Sequence, residues 1–437
     1  MAMTNTLSYK KIFLFWFPLA ITWLMMSIEG PYLSAIIARM GDPKFNLAAY
    51  GISFSFALII EAPVIMLMSA STALVDNFDS FKKLRNFSYI LNLVITILML
   101  LLLIPSVFNY ITVYLINLPA EVAEITYWAF AALLPWPAAI GYRRFFQGIL
   151  IRNNKTRLVA VGTMIRLISM SVTALVLFVN FAFPGAVVAS LSLSMGVIVE
   201  AIASKVMSLD VIKKLKSIDI ADDSKELSYK EIMSFYYPLA LTSMLSLGVH
   251  PFVTFLLGQS RMAIESLAVL PVINALVFVF RSVGLSYHEV FIALLGEKGE
   301  GYKPLRNFGL LAGISSVILL TVITTTPLAQ IWFHRISGLS MELTQLSILP
   351  AIIVSLLPGL TFLISVQRAI QVYARNTSPL TTATIIEVVS IITVLFIGID
   401  VFDLVGVLAA AIAYISGRIL ANIYLFKPNR AAIKNFG

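Results

Sequence analysis

The sequence predicts an all-α integral membrane protein, with twelve transmembrane helices in two six-helix bundles related by a pseudo-twofold axis. Three observations predict it. The 437 residues are 59% hydrophobic and only 12% charged, against about 25% charged in an ordinary soluble domain, and the mean hydropathy is +0.93. Apolar runs of ~20 residues or more recur along the chain, the length a helix needs to cross hydrocarbon. The chain also repeats itself: YKKIFLFWFPLAIT at Tyr9–Thr22 returns 220 residues later as YKEIMSFYYPLALT at Tyr229–Thr242, and Pro31 then meets Pro251. Self-similarity of this period in so apolar a chain points to two copies of one membrane bundle, an architecture common among secondary transporters.

Setting hydrophobic runs against breaks places the helices at 10–40, 47–75, 86–116, 120–152, 156–182, 185–214, 228–258, 263–295, 303–334, 341–375, 379–399 and 403–426. The first run, Ile12 to Ala38, is too long for the apolar region of a cleavable signal and lacks a small-residue cleavage site, so it reads as span one. Several runs exceed 25 residues, which implies tilt or kinks. Pro18, Pro63, Pro135, Pro137, Pro238, Pro271, Pro350 and Pro358 lie inside the runs. Each removes a backbone hydrogen bond and bends its helix. The longest polar connector, Lys213 to Ser228, separates an N-terminal lobe (1–214) from a C-terminal lobe (228–437), with 215–227 as a cytoplasmic linker. Six spans return the chain to its starting side, so the lobes repeat in parallel.

Loop charge orients the bundle. With the N-terminus in the cytoplasm, twenty of the 31 Lys and Arg fall in loops and termini on that side, and four (Arg39, Lys44, Arg261, Arg335) on the other. That asymmetry predicts a multi-pass protein of the cell membrane with both termini cytoplasmic. It also absorbs the net charge of +9, which leaves no case for nucleic acid as a partner. The absence of cysteine removes disulfides and thiolate metal sites. His250, His288 and His334 sit on separate spans without ligand spacing, so no metal centre is expected. No G-x-x-x-x-G-K-[ST] run suggests a nucleotide-driven motor.

Seven basic residues remain inside the spans: Arg143, Arg144, Arg166, Lys205, Arg281, Arg368 and Arg418. The acids there are Glu29, Glu61, Glu200, Glu289 and Glu387, with His250 and His288 nearby. Each charge at bilayer depth costs roughly 2.5–3.5 kcal/mol on insertion scales, so these groups must pair, line water or snorkel from helix ends. Arg143, Arg144 and Lys205 are placed for snorkelling. At the repeat offset Glu61 falls opposite Arg281, a pair suited to gate a central cleft, to part for a substrate, or to stand as a fixed salt bridge. His250 aligns one residue beyond Glu29, as a proton carrier beside a carboxylate or as a packed, hydrogen-bonded histidine. Glu29, Glu61, His250 and Arg281 are thus the candidate ion-binding or gating group. Arg144-Phe-Phe-Gln147 is echoed by Arg368-Ala-Ile-Gln371, which sets an Arg and a Gln at i, i+3 on one face in both lobes. Arg152-Asn153 is echoed by Arg375-Asn376. These serve anion recognition or cap the helix ends. Arg144, Gln147, Arg368 and Gln371, with Arg166, Glu200, Glu387 and Arg418, make up the candidate substrate contacts.

The FPLAIT and YPLALT openings of spans one and seven, and the run Gln147-Gly-Ile-Leu-Ile-Arg-Asn-Asn-Lys-Thr156, resemble the multidrug/oligosaccharidyl-lipid/polysaccharide (MOP) flippase superfamily. That resemblance implies two lobes in a V-shaped arrangement. Within it, Ala49-Tyr-Gly-Ile-Ser-Phe-Ser55 with Ala62-Pro63, and Ser234-Phe-Tyr-Tyr-Pro-Leu-Ala-Leu241, are similar to the progressive ankylosis branch. The branch implies export of pyrophosphate, nucleotides or citrate-like anions. The multidrug and toxin extrusion (MATE) branch implies organic cations exchanged for sodium or protons; where some of its members carry a protonating acid in span one, this chain offers Glu29 in the outer half.

The expected function is a secondary active exporter or flippase working by alternating access. It is expected to act as a monomer in membrane lipid, coupled to H+ or Na+ and without other cofactors, moving a small organic or phosphorylated anion out of the cytoplasm. A MATE-type antiporter of organic cations and a flippase of lipid-linked saccharides stay open at this point. An integral-membrane enzyme is disfavoured, because nucleophiles and metal ligands do not cluster. A scaffold without transport is disfavoured by the intramembrane charges, which need a polar path to serve.

Overall fold

The computed structural model describes residues 7–153, 155–217, 227–296, 299–374, 376 and 378–434, and its regular structure is helical apart from one isolated bridge between Arg261 and Val405. Span one is α1 (Tyr9–Ser27) with α2 (Glu29–Ile37); span two is α3 (Pro43–Ile65) with α4 (Leu67–Leu74). Span three is α5 (Phe78–Leu102) with α6 (Pro105–Asn109), running into a π-helical turn at Tyr110–Leu115. Span four is α7 (Ala120–Ala132) with α8 (Trp136–Arg152), and spans five and six are unbroken as α9 (Thr156–Asn180) and α10 (Gly185–Ser217). The second half follows with α11 (Tyr229–Gly258), α12 (Ala263–Leu285), α13 (Tyr287–Leu294), α14 (Tyr302–Thr325) and α15 (Leu328–Gln330). After a π-helical stretch at Ile331–Ile336 come α16 (Met341–Val354), α17 (Leu357–Tyr373), α18 (Ser378–Phe396) and α19 (Gly406–Ile433). Each of the twelve expected runs is helical, and among the described residues ten helices are long and apolar enough to cross a membrane. Of the expected linker, 218–226 lie outside the described residues, as do Arg375, Lys298 and the side chain of Glu289.

The breaks repeat as well. Spans two and eight are interrupted at Met66 and Ser286, and spans four and ten just before Trp136 and Leu357. Proline explains most of them: Pro63 precedes the first break, Pro135 and Pro137 flank the third, and Pro358 opens α17. Span starts are capped by side chains at Ser8, Asn77 and Ser340; Asn77 accepts from the Ser80 amide at 2.8 Å.

The helices pack as two compact units, Ile36–Gly258 and Met1–Ala35 together with Gln259–Gly437. They depart from the expected lobes (1–214 and 228–437) because the first and seventh spans change places. In the second unit α1 presents Ile12, Trp16 and Ala20, one stripe at i, i+4 and i+8, to a core of Tyr287, Phe291, Phe308 and Phe362. Trp16 meets Tyr287, Phe308 and Phe362 edge-on at 5.5–6.1 Å between ring centroids and donates from Nε1 to Ser286 Oγ at 2.8 Å. In the first unit α11 buries Ile232, Tyr236, Val253 and Leu257. Tyr236 donates its hydroxyl to the Pro63 carbonyl, and Thr254 Oγ1 donates to Ser55 Oγ at 3.0 Å. Trp16 and Tyr236 occupy the same position of the repeat. Each anchors the break in the second span of the unit it joins, where helix-end groups need outside partners. Apolar burial by these two faces, rather than chain order, decides the partition.

Candidate functional site

Each unit encloses a cluster of buried charge, and the two clusters are built from equivalent spans. In the unit Ile36–Gly258, α8 and α9 bring three side chains to Glu200 on α10, which is fully buried. Arg143 donates to Glu200 Oε2, Gln147 Nε2 donates to Glu200 Oε1 at 3.1 Å, and Arg166 lies 3.7 Å from Oε2. Glu61 on α3 is 6% exposed. The charges acting on it are Arg144 foremost, then Arg143 and Arg166, yet its Oε2 has no hydrogen-bond partner. Arg144 itself rests an Nη1 on Met68 Sδ at 3.6 Å.

In the other unit Arg418 on α19 pairs with Glu387 on α18 at 2.8 Å. Arg281 on α12 donates from Nε to Thr361 Oγ1 at 3.3 Å, with Arg418, Glu387, Tyr414 and Arg368 as its charged and polar surroundings. No hydrogen bond or ion pair engages Arg368 among the described residues, and its Nε and that of Arg418 are buried without partners. His288 lies beside this group with Nδ1 3.3 Å from the Ser365 carbonyl. Toward α19, Gln371 Nε2 donates to Asn429 Oδ1 at 2.7 Å and Gln367 Nε2 to the Asn422 carbonyl at 3.0 Å.

The repeat is therefore inverted in charge. Span five carries the arginine (Arg166) and span six the glutamate (Glu200) in one unit; span eleven carries the glutamate (Glu387) and span twelve the arginine (Arg418) in the other. Likewise Glu61 on span two answers Arg281 on span eight. Three arginines face two carboxylates in the first unit, and three arginines face one described carboxylate in the second.

Glu61 and Arg281 fall in different units, as their equivalent places in the repeat lead one to expect, and each lies among charges of its own unit. Glu29, buried at the start of α2, and His250, half-buried on α11, also fall in different units. The i, i+3 pairs Arg144/Gln147 and Arg368/Gln371 do not act as pairs. Gln147 works with Arg143, and Gln371 with Gln367, because residues four apart stack on one helix face toward the neighbouring helix. Arg143, Gln367, Asn422 and Tyr414 were not among the candidates. Arg143 and Gln367 could have been found by testing i, i+4 as well as i, i+3 spacing, and Arg143 is 4% exposed rather than snorkelling. Nothing in the sequence distinguishes Asn422 or Tyr414.

An all-helical protein of twelve apolar spans in two internally repeated units, each with buried charge, defines a class of membrane transporter folds. No protein-family model and no curated protein matches the chain in sequence. Among solved structures, a multidrug resistance MATE family transporter of the MOP superfamily in its inward-facing conformation matches with TM-score 0.75 at 15% identity, over 95% of this chain and 98% of the other. An outward-facing conformation of such a transporter matches with TM-score 0.64 at 16% identity, over 96% and 95%. The lipid II flippase MurJ in an inward closed conformation matches with TM-score 0.70 at 15% identity, over 96% and 90%. The chain has the fold shared by these MOP-superfamily transporters.

Proposed function

We propose that this chain is a secondary transporter that moves an anion across the membrane by alternating access, with the arginine-rich cluster of the second unit as its recognition site. One observation carries the reading. Among the described residues, Arg281 and Arg368 are held in the interior of the span bundle with no carboxylate in ion-pair contact, and Glu387, the one described carboxylate near them, is paired with Arg418. Three arginines sharing one described carboxylate at that depth are costly, and a planar, bidentate donor suits a carboxylate or phosphoryl group. Alternating access is supported by the fold, which matches both an inward-facing and an outward-facing MATE structure. In the first unit Glu61, with one carboxylate oxygen unpaired, is the acid best placed to bind H+ or Na+ and couple its movement to the anion. The narrower likeness to the progressive ankylosis branch agrees with an anionic cargo.

The test is uptake into proteoliposomes of labelled pyrophosphate, citrate and an organic cation, with sodium and pH gradients imposed separately. Arg281→Gln and Arg368→Gln should each lower anion uptake at least ~10-fold while leaving protein yield unchanged, the loss of one charge-assisted bidentate contact. Accumulation of the organic cation with no anion moved, or parental uptake by both variants, refutes the assignment. Movement of a lipid-linked saccharide instead would favour a flippase, in line with the match to MurJ.

A further inference from the structure

The first unit carries a second arrangement of charge, away from Glu200. Arg85 on α5 lies over the Tyr89 ring at 5.8 Å. Tyr89 stacks on Tyr142 of α8 with ring centroids 6.0 Å apart and planes 5° from parallel. Lys205 on α10 holds its ammonium 6.0 Å over the Tyr142 ring. Two cations thus flank a tyrosine pair. Directly beside it α8 and α10 form an open groove of about 500 Å³, lined by Ala139, Tyr142, Ile198, Ile202, Val206 and Leu209, with Lys205 the charged residue of its wall.

Depth says what could fill it. α10 begins at Gly185 and runs to Ser217. At 1.5 Å per residue, twenty residues from its start span about 30 Å, the thickness of the hydrocarbon core. Lys205 therefore stands where hydrocarbon gives way to headgroups, on the side of the basic run Lys213, Lys214 and Lys216. Tyrosines are favoured at that level, one end apolar and the other wet. The cavity below is apolar, as an acyl chain requires.

We propose that this groove is a binding site for one anionic phospholipid, its phosphate on the Lys205 ammonium at the wall of the groove, with Arg85 across the tyrosine pair adding positive charge to the same face, and an acyl chain lying along Ile198 and Ile202. Charge complementarity selects the anionic headgroup, and the Tyr142 ring holds the Lys205 ammonium beside the groove. The site needs only that the chain sit in a bilayer and is independent of what it transports.

Native mass spectrometry of the detergent-purified chain tests it, with phosphatidylglycerol and phosphatidylcholine as probes. The parent should retain one phosphatidylglycerol under activation that strips phosphatidylcholine. Lys205→Gln should weaken retention about five-fold, and Arg85→Gln with it about five-fold again, the electrostatic worth of each cation at a membrane surface. Lys214→Gln, an equal charge change at the exposed end of α10, should retain lipid like the parent. Ile202→Trp, which fills the groove and leaves both cations, should also lose the lipid. Equal retention of the two lipids, no difference between Lys205→Gln and Lys214→Gln, or displacement of phosphatidylglycerol by millimolar inorganic phosphate overturns the proposal.

Discussion

Glu200→Gln removes the negative charge that lies in ion-pair contact with both Arg143 and Arg166, while keeping the side chain's size and an oxygen for Gln147. The glutamate has no exposed surface, and its two cations are 4% and 7% exposed, so neither can turn to water when the charge is lost. Breaking a buried ion pair on one side leaves an uncompensated charge and costs about 3–5 kcal/mol. Arg143 already has a buried Nε without a partner, which adds to the strain on that guanidinium. Reversible unfolding in mixed SDS micelles, followed by helical circular dichroism, should show the variant less stable by that amount. Adding Arg143→Gln removes one stranded cation and should restore part of the loss, about 0.5–3 kcal/mol, as coupled neighbours do. A single variant within 1 kcal/mol of the parent would refute the claim that Glu200 neutralises this cluster, as would a double variant whose losses simply add.

Trp16→Ala empties the centre of an aromatic core and breaks the bond to Ser286; unfolding should show a loss of about 3–5 kcal/mol, the usual cost of such a truncation. Its repeat partner loses less: Tyr236→Phe withdraws only the hydroxyl from the Pro63 carbonyl, about 1–3 kcal/mol in the same assay. A Cβ built on Gly148 would lie 1.8 Å from Ser71 Oγ and 2.4 Å from the Met68 carbonyl. Gly148→Ala should therefore cost about 1–3 kcal/mol by overpacking α8 against α4, read as a lowered melting temperature in detergent.

The positions of the spans were legible in the residues because each must bury about twenty apolar side chains and bond its own backbone in lipid. The breaks were legible wherever proline marks them. The charge clusters were only half legible. Repeat arithmetic matched Glu61 to Arg281 and suggested a pair, but an alignment relates equivalent positions without placing them side by side. It could not show that each would be surrounded by arginines of its own unit. Choosing i, i+3 over i, i+4 also hid Arg143 and Gln367, since the face a helix presents depends on the neighbour it packs against.

The residues by themselves determined a repeated, twelve-span membrane bundle with charges buried where lipid would reject them, because hydropathy and insertion cost act locally along the chain. The tertiary structure alone decided which of those charges meet. It moved α1 beside α12 and α13, set α11 against α3, and left two arginines of one unit without an ion-pair partner among the described residues. Those outcomes rest on complementary packing between distant faces, such as Trp16 among Tyr287, Phe308 and Phe362, whose energy exists only once the helices are in contact.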